Sequence, residues 1–301
     1  MKTREFKAMN CTIKLDGMNK QVQLEVEQMI REFEQNTSRF IPDNYLFYLN
    51  NRALNVPIHL DESFVDLLDQ SLTLARKTDY YLHPFMGDNM KEIGYTSSFH
   101  VNYKPIFEEG KFAIKELSEE PIERLTEKWL IKERDFSFDF GGFGKGYIID
   151  QVKKLLHQKG LNRSLINAGG DLTVIGSYEV GIEHPILMEK DMMKLIIKDC
   201  ALATSGKNYR KWGKDQAAYH HILNGRTGEP AQNGVLQASV IANTVMEAEA
   251  ASKLLCILPF EEAKALLAMR FPKIAYFIYF QNNQIAIVGD TTLYEGLEVA
   301  Q

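Results

Sequence analysis

Asp135-Phe136-Ser137-Phe138-Asp139-Phe140-Gly141-Gly142-Phe143-Gly144-Lys145-Gly146-Tyr147 is the stretch on which the reading of the fold turns. Phe136, Phe138 and Phe140 alternate with Ser137 and Asp139, the period-two pattern of a half-buried strand with Asp139 on the face opposite the phenylalanines. From Ile148 the period lengthens. Ile148, Val152, Leu155 and Leu156 form one apolar helical stripe, with Lys153, Lys154 and Gln158 on the wet side. The expected junction is strand, glycine turn and helix N-terminus, where free backbone N–H groups and the positive end of the helix dipole suit an anionic ligand.

Neither phosphate-loop template fits this junction. A Walker A loop requires Ser or Thr after Gly-Lys, but Gly146 follows Lys145, and the spacing Gly142-x-Gly144-x-Gly146 is not that of the dinucleotide fingerprint. Metalloprotease H-E-x-x-H and Ser-elbow G-x-S-x-G motifs are absent as well. A chain of 301 residues with 45% hydrophobic and 25% charged residues is long and apolar enough to bury a sizeable core. Its net charge of -5 carries no dense basic stripe, so no nucleic-acid partner is expected. The N-terminus has no apolar signal region and no run reaches the roughly 18 apolar residues of a membrane span, so the chain reads as cytoplasmic. Cys11, Cys200 and Cys256 are odd in number and far apart, and are expected as small core residues.

Outward from the junction, a strand is expected around Phe6 to Leu15, followed by helices over Gln21 to Phe33, a short one ending near Asn50, and Asp61 to Thr78. His83 through about Tyr103 has little periodicity and reads as a long loop of the kind that covers ligands. A strand from Asn162 to Asn167 meets a second glycine turn at Ala168-Gly169-Gly170-Asp171, and Ala203-Thr204-Ser205-Gly206 reads as a third turn. Asn224 to Pro230 holds two further turn signals after His221. Thr244 and Glu247 have capping-box spacing at the start of a helix through Leu258; a helix from Glu261 to Met269 and strands near Ile274 to Phe280 and Gln284 to Val288 follow. With no linker composition or repeat, residues 1–301 are expected as one α+β domain.

Several of these motifs, in this order, resemble the ApbE family of FAD:protein FMN transferases. Asp139-Phe140-Gly141-Gly142-Phe143-Gly144-Lys145-Gly146 is similar to the family's Asp-Leu-Gly-Gly-x-x-Lys-Gly, and Asn167 to Asp171 reproduces its Asn-Ala-Gly-Gly-Asp. Ala203 to Gly206 is similar to its Ala-Thr-Ser-Gly. His221 to Pro230 resembles its His-Ile-Ile-Asp-Pro-Arg-Thr-Gly-x-Pro, and Phe40 to Asn50 its aromatic-x-Pro-Asp segment. The likeness runs from about Met9 to Val288. It implies an ApbE-like fold of mixed or antiparallel sheets with flanking helices and an FAD cleft between two halves. The implied reaction joins FMN from FAD to a Ser or Thr hydroxyl of an acceptor protein and releases AMP with Mg2+. By position, Met9, Phe40, Leu82, His83, Asp139, Lys145 and Ser205 would contact FAD, His221 would be the catalytic base, and the Gly142 carbonyl and Glu249 would lie at the metal.

The departures concentrate at that metal. The family's helix reads approximately Ala-Asp-Ala-x-x-Thr, with Asp and Thr as ligands, whereas this chain has Ala248-Glu249-Ala250-Ala251-Ser252-Lys253. An ammonium cannot ligate Mg2+, but Lys253 lies four residues from Glu249 on one helical face and can pair with it. One reading makes that ammonium a partial replacement for the metal charge; the other makes the two an exposed helix pair contributing about 0.2–0.5 kcal/mol. Asn10-Cys11 stands where the family has Gly-Thr, His83 about where it has Asp, and Asn224-Gly225 in place of Asp-Pro. Two alternatives to transfer therefore stay open: an FAD-binding protein without catalysis, and an FAD pyrophosphatase giving FMN and AMP.

Overall fold

The computed structural model describes residues 2–99, 103–106, 119–187, 189–208, 210–214 and 217–299. The chain begins β1 (Arg4–Ala8), β2 (Cys11–Asp16), α1 (Lys20–Thr37), α2 (Tyr45–Asn50), β3 (Ile58–His59), α3 (Glu62–Lys77), α4 (Gly87–Glu92), β4 (Ile122–Thr126), β5 (Trp129–Lys132) and α5 (Gly144–Gln158). It continues β6 (Ser164–Ala168), β7 (Asp171–Ile175), β8 (Ser177–Glu183), β9 (Asp191–Lys198), β10 (Ala201–Gly206), β11 (Lys211–Lys214), β12 (Ala217–His220) and β13 (Val235–Ala242). It closes with α6 (Val245–Ile257), α7 (Phe260–Arg270), β14 (Ala275–Phe280), β15 (Ile285–Gly289) and β16 (Tyr294–Val299). Chain contacts divide these elements into two compact units. The first comprises Met1–Phe33, Lys145–Tyr209 and Gln232–Gln301; the second comprises Glu34–Gly144 and Arg210–Ala231.

The first unit is built on an eight-stranded sheet in the order β1-β2-β6-β7-β10-β13-β14-β15, with β16-β9-β8 as a smaller sheet. Every strand pairing among the described residues is antiparallel. Val174, Leu195, Ile197, Leu202, Ile241 and Phe277 belong to one buried cluster contributed by strands of both sheets. Helix α6 lies on β10 and β13. It is apolar nearly all round and buried from Val245 to Ile257 except at Glu247 and Lys253, as expected of a helix enclosed by its neighbours. Thr244 opens it, its side chain accepting from the Glu247 N–H at 3.2 Å, as the capping spacing predicts.

The small residues Ala203 to Gly206 form part of strand β10 rather than the expected turn. Their size suits the close approach of α6: Ser205 Oγ lies 2.8 Å from Ser252 Oγ, while Thr204 Oγ1 reaches Ser239 Oγ on β13 at 2.8 Å. The run at 168–171 is a turn, a two-residue connection between β6 and β7 with Gly169 at φ +66° and Gly170 at φ +98°. Both central positions need positive φ, which glycine adopts without strain. The expected single strand from Phe6 to Leu15 is a hairpin, β1 and β2, whose tip residues Met9 and Asn10 have φ +53° and +57°.

In the second unit α3 buries Phe64, Leu67, Leu68 and Leu72, and the strands form a three-stranded sheet β3-β5-β4 and the separate pair β11-β12. Residues 135–140 are extended but join no sheet, which corrects the strand reading. A side chain replaces the missing neighbour: the Asn50 amide accepts from the Phe138 N–H at 2.7 Å and donates to its carbonyl at 3.1 Å. The Asp139 N–H donates to Pro84 O and the Gly87 N–H to Ser137 O, each at 2.9 Å. The alternation is present, with Phe136, Phe138 and Phe140 in an aromatic cluster with Phe64 and Phe85. Its polar face is buried as well, because Ser137 donates to Asp88 at 2.7 Å and Asp139 meets Arg39 at 3.0 Å. The expected loop from His83 to Tyr103 contains α4; its residues 100–102 lie outside the described residues.

Replacing Asn50 by Ala strands one buried donor and one acceptor on Phe138, a loss of about 3 kcal/mol. Urea denaturation of Asn50→Ala measures it; a loss under about 1 kcal/mol would mean the amide is dispensable to the segment.

Candidate active site

Of the residues expected at the site, Met9, Lys145, Ser205, Glu249 and Lys253 belong to the first unit, and Phe40, Leu82, His83, Asp139, Gly142 and His221 to the second. In the first unit Lys145 stands at the N-terminal end of α5 and Glu249 near that of α6, with Lys253 one turn further along α6 and Ser205 bonded to Ser252 of the same helix. Those two ends touch, because a Cβ on Gly146 would come within 2.8 Å of Met246 Cα and 2.9 Å of Glu249 Oε2. Each helix is closed by a carboxylate from the other. Asp150 on α5 accepts from the Val245 and Met246 N–H groups at 2.9 and 3.0 Å, and Glu249 on α6 accepts from the Gly146 N–H at 3.0 Å. The glycine at 146 is thus needed for helix contact, and its N–H is committed to a protein carboxylate. Beside it Lys145 makes an ion pair with Asp171, whose other oxygen accepts from the Thr204 N–H at 3.3 Å.

Asp171 directly follows the 169–170 turn, and that turn adjoins the Met9–Asn10 tip: a Cβ on Gly169 would meet Cys11 Cβ at 2.8 Å. The substitution of Asn at position 10 for the family's Gly has a local reason, since Asn is among the side chains best suited to the left-handed conformation at φ +57°.

In the second unit Asp139 is 8% exposed; its Oδ1 accepts from the Gly141 N–H at 2.7 Å and its Oδ2 pairs with Arg39 Nε. The Arg39 guanidinium stacks over the Phe40 and Tyr95 rings, 4.2 and 4.6 Å from their centroids. Phe40 is half-buried and Leu82 is buried. Gly142, half-buried, lies in the turn before α5. His83 is buried, with Nε2 2.8 Å from the Gly225 carbonyl and Nδ1 accepting from the Phe85 N–H at 3.2 Å. Because a backbone N–H must donate to Nδ1, the proton sits on Nε2 and both nitrogens serve the framework. The neighbouring pair divides differently: His220 is buried and bonded through Nε2 to Ala231 O at 2.9 Å, while His221 is half-buried just after β12.

The donors do not fit a magnesium ion. Glu249 is 1% exposed, one of its oxygens is taken by Gly146 and the other accepts from Lys253 Nζ at 2.7 Å. The ammonium adds a donor where Mg2+ would need an oxygen ligand. Among the described residues no three His, Cys, Asp or Glu side chains gather in a way that could hold a metal. The pair is also not the exposed helix pair of the alternative reading, since the Lys253 and Glu249 side chains are 13% and 2% exposed.

Arg39, Asp150 and the role of Asp171 escape sequence reading, because their partners lie 100, 95 and 26 residues away along the chain. Only Asp171 carried a signal, as the last residue of the Asn-Ala-Gly-Gly-Asp run. Burial pushes the Asp150 carboxyl up to about 6, opposed by the N–H groups of Met246 and Val245. Burial likewise lowers His83 to about 4, opposed by its bond to Gly225. A histidine with a depressed folded-state value binds fewer protons than the unfolded chain between about 4 and 6.5, so its contribution is present above pH 6.5 and is lost as pH falls through that window. The stability deficit of His83→Asn relative to the parent should therefore shrink by about 2–3 kcal/mol between pH 7 and pH 4.5, the Asp150 contribution cancelling between the two proteins. A deficit constant across that range, measured by denaturant unfolding, would contradict a buried neutral imidazole.

Comparison with known proteins agrees with this architecture. The model of the ApbE family matches residues 8–278. The FAD:protein FMN transferase of Treponema pallidum (strain Nichols) is 25% identical over 281 residues, covering 87% of this chain and 77% of that one. The enzyme of the same name from Escherichia coli (strain K12) is 25% identical over 247 residues, covering 78% and 70%. Among solved structures, the ApbE protein of Thermotoga maritima superposes with a TM-score of 0.83 at 21% identity, covering 97% of each chain. The flavin transferase ApbE from Vibrio cholerae superposes at 0.75 and 19% identity, again over 97% of each. With a family match over most of its length and the fold to go with it, this chain belongs to the ApbE family.

Proposed function

We propose that this chain is a flavin transferase that moves FMN from FAD to a Ser or Thr hydroxyl of an acceptor protein. The reaction balances simply. The acceptor oxygen attacks the FMN phosphorus, the bond from that phosphorus to the bridging oxygen breaks, AMP leaves with that oxygen, and the hydroxyl proton passes to a base. The observation that carries the reading is the Asn167–Asp171 turn with Lys145 bonded to its last residue, set at the paired N-termini of α5 and α6. Residues 1–301 are taken to act as one flavin-binding domain.

In this reading Met9, Phe40 and Leu82 offer apolar contact to the flavin, Asp139, Lys145 and Ser205 offer polar contact to FAD, and His221 takes the hydroxyl proton. His83 contributes packing alone, because its nitrogens are used within the protein. Gly142 and Glu249 stand at the family's metal positions, but the donors around Glu249 do not suit Mg2+, and no step is routed through one. Charge that spreads over the phosphoryl oxygens in the transition state is instead met by Lys145 and Lys253. One observation favours a second reading: with Glu249 bound to Lys253, the protein would hold FAD without turning it over.

Incubation with FAD and a protein bearing acceptor Ser or Thr side chains, followed by assay of AMP and of covalent flavin, distinguishes the possibilities. Transfer gives AMP and acceptor-bound FMN in equal amounts; AMP without an acceptor indicates hydrolysis, and no AMP indicates a binder. His221→Ala should lower transfer by about 10²–10⁴-fold, the usual contribution of a general base, while FAD affinity changes little. Undiminished transfer by that variant would remove His221 from the base role.

A further inference from the structure

We infer that the Lys253 ammonium, held on the buried Glu249 carboxylate, stands in for the divalent cation in this chain, so that FAD binds without Mg2+. The inference rests on the flavin-transferase reading and deepens it. Three observations support it, all within the first unit. Both Glu249 oxygens are occupied, by the Gly146 N–H at 3.0 Å and by Lys253 Nζ at 2.7 Å, so a metal would have to displace a protein cation from a carboxylate that is 1% exposed. The Lys253 side chain, 13% exposed, gives one of its three donors to Glu249 and has no other hydrogen-bond partner among the described residues. That leaves donors for an anionic ligand. The lysine is also held in place, since Glu249 is itself fixed by the end of α5, and an ordered ammonium needs little reorganisation to meet phosphate oxygens.

The charge balance separates the two arrangements. A divalent ion on one carboxylate leaves a net charge of +1, whereas Lys253 on Glu249 leaves zero and offers N–H donors rather than an ion to be shared. Binding therefore becomes independent of metal, and transition-state support falls to directed hydrogen bonds.

Two titrations of the full chain test this. In the first, Mg2+ alone is added to the flavin-free protein and followed by calorimetry and thermal unfolding; no saturable binding and no shift in Tm are expected. In the second, FAD is titrated in EDTA and again in Mg2+, with affinities expected to agree within about twofold, while Lys253→Met loses about tenfold in both media, the equivalent of one charge-assisted hydrogen bond. Lys253→Arg should retain most of the affinity, and Lys253→Thr with Glu249→Asp should make FAD binding respond to Mg2+. Saturable Mg2+ binding to the parent protein, or FAD binding that requires Mg2+, overturns the inference and leaves the transferase reading standing. FAD binding in neither medium overturns the transferase reading, and the inference with it. The comparison of the parent in the two media needs no variant, so a poorly folding substitution does not spare the inference.

Discussion

The end-to-end contact of α5 and α6 is the constraint on which the first unit's functional corner depends. Two helix N-termini brought together place unsatisfied N–H groups and two positive dipole ends side by side, an arrangement that is unfavourable unless negative charge intervenes. Asp150 and Glu249 supply it reciprocally, each side chain leaving its own helix to close the other. Gly146 is required because the α6 backbone occupies the space a side chain would fill. The contact has a cost: burial raises the Asp150 carboxyl to about 6, so near neutral pH, where the group is ionised, it costs the fold more than a solvent-exposed aspartate would.

The same pattern of internal neutralisation recurs at each charged position that the family resemblance assigns to FAD or its metal. Lys145 is tied to Asp171, Lys253 to Glu249, and Asp139 to an Arg39 that is itself stacked on Phe40 and Tyr95. Buried charges without such partners would be strongly destabilising, and the protein supplies each of these with a counter-ion of its own. A ligand that engages these groups finds them already oriented, which lowers the ordering cost of binding. At position 249 the arrangement is complete, because the Gly146 N–H and the Lys253 ammonium between them take both carboxylate oxygens.

Much of the fold was legible in the chain. The amphipathic stripes of α1, α3 and α5, the Thr244–Glu247 cap and the Gly169–Gly170 turn are local patterns with local causes, and local structure follows them. What misled was context. Phe136 to Phe140 alternate like a strand, yet the Asn50 amide takes the place of a neighbouring strand; Ala203 to Gly206 have turn composition, yet small side chains are what a strand beneath α6 requires. The candidate site was read through its motifs, whose residues include Asp139, Lys145, His221 and Glu249. Partners such as Arg39 and Asp150 were not, since nothing in the sequence ties a charge to a group about a hundred residues away. The Glu249–Lys253 spacing was visible, but its burial was not.

Whether that pair is a built part of the corner or a surface embellishment is decided most directly by a double-mutant cycle on stability, comparing Glu249→Gln, Lys253→Met and the two together. A coupling energy of about 2 kcal/mol is expected for side chains this enclosed. A coupling of about 0.5 kcal/mol or less, the value of an exposed helix pair, would contradict it.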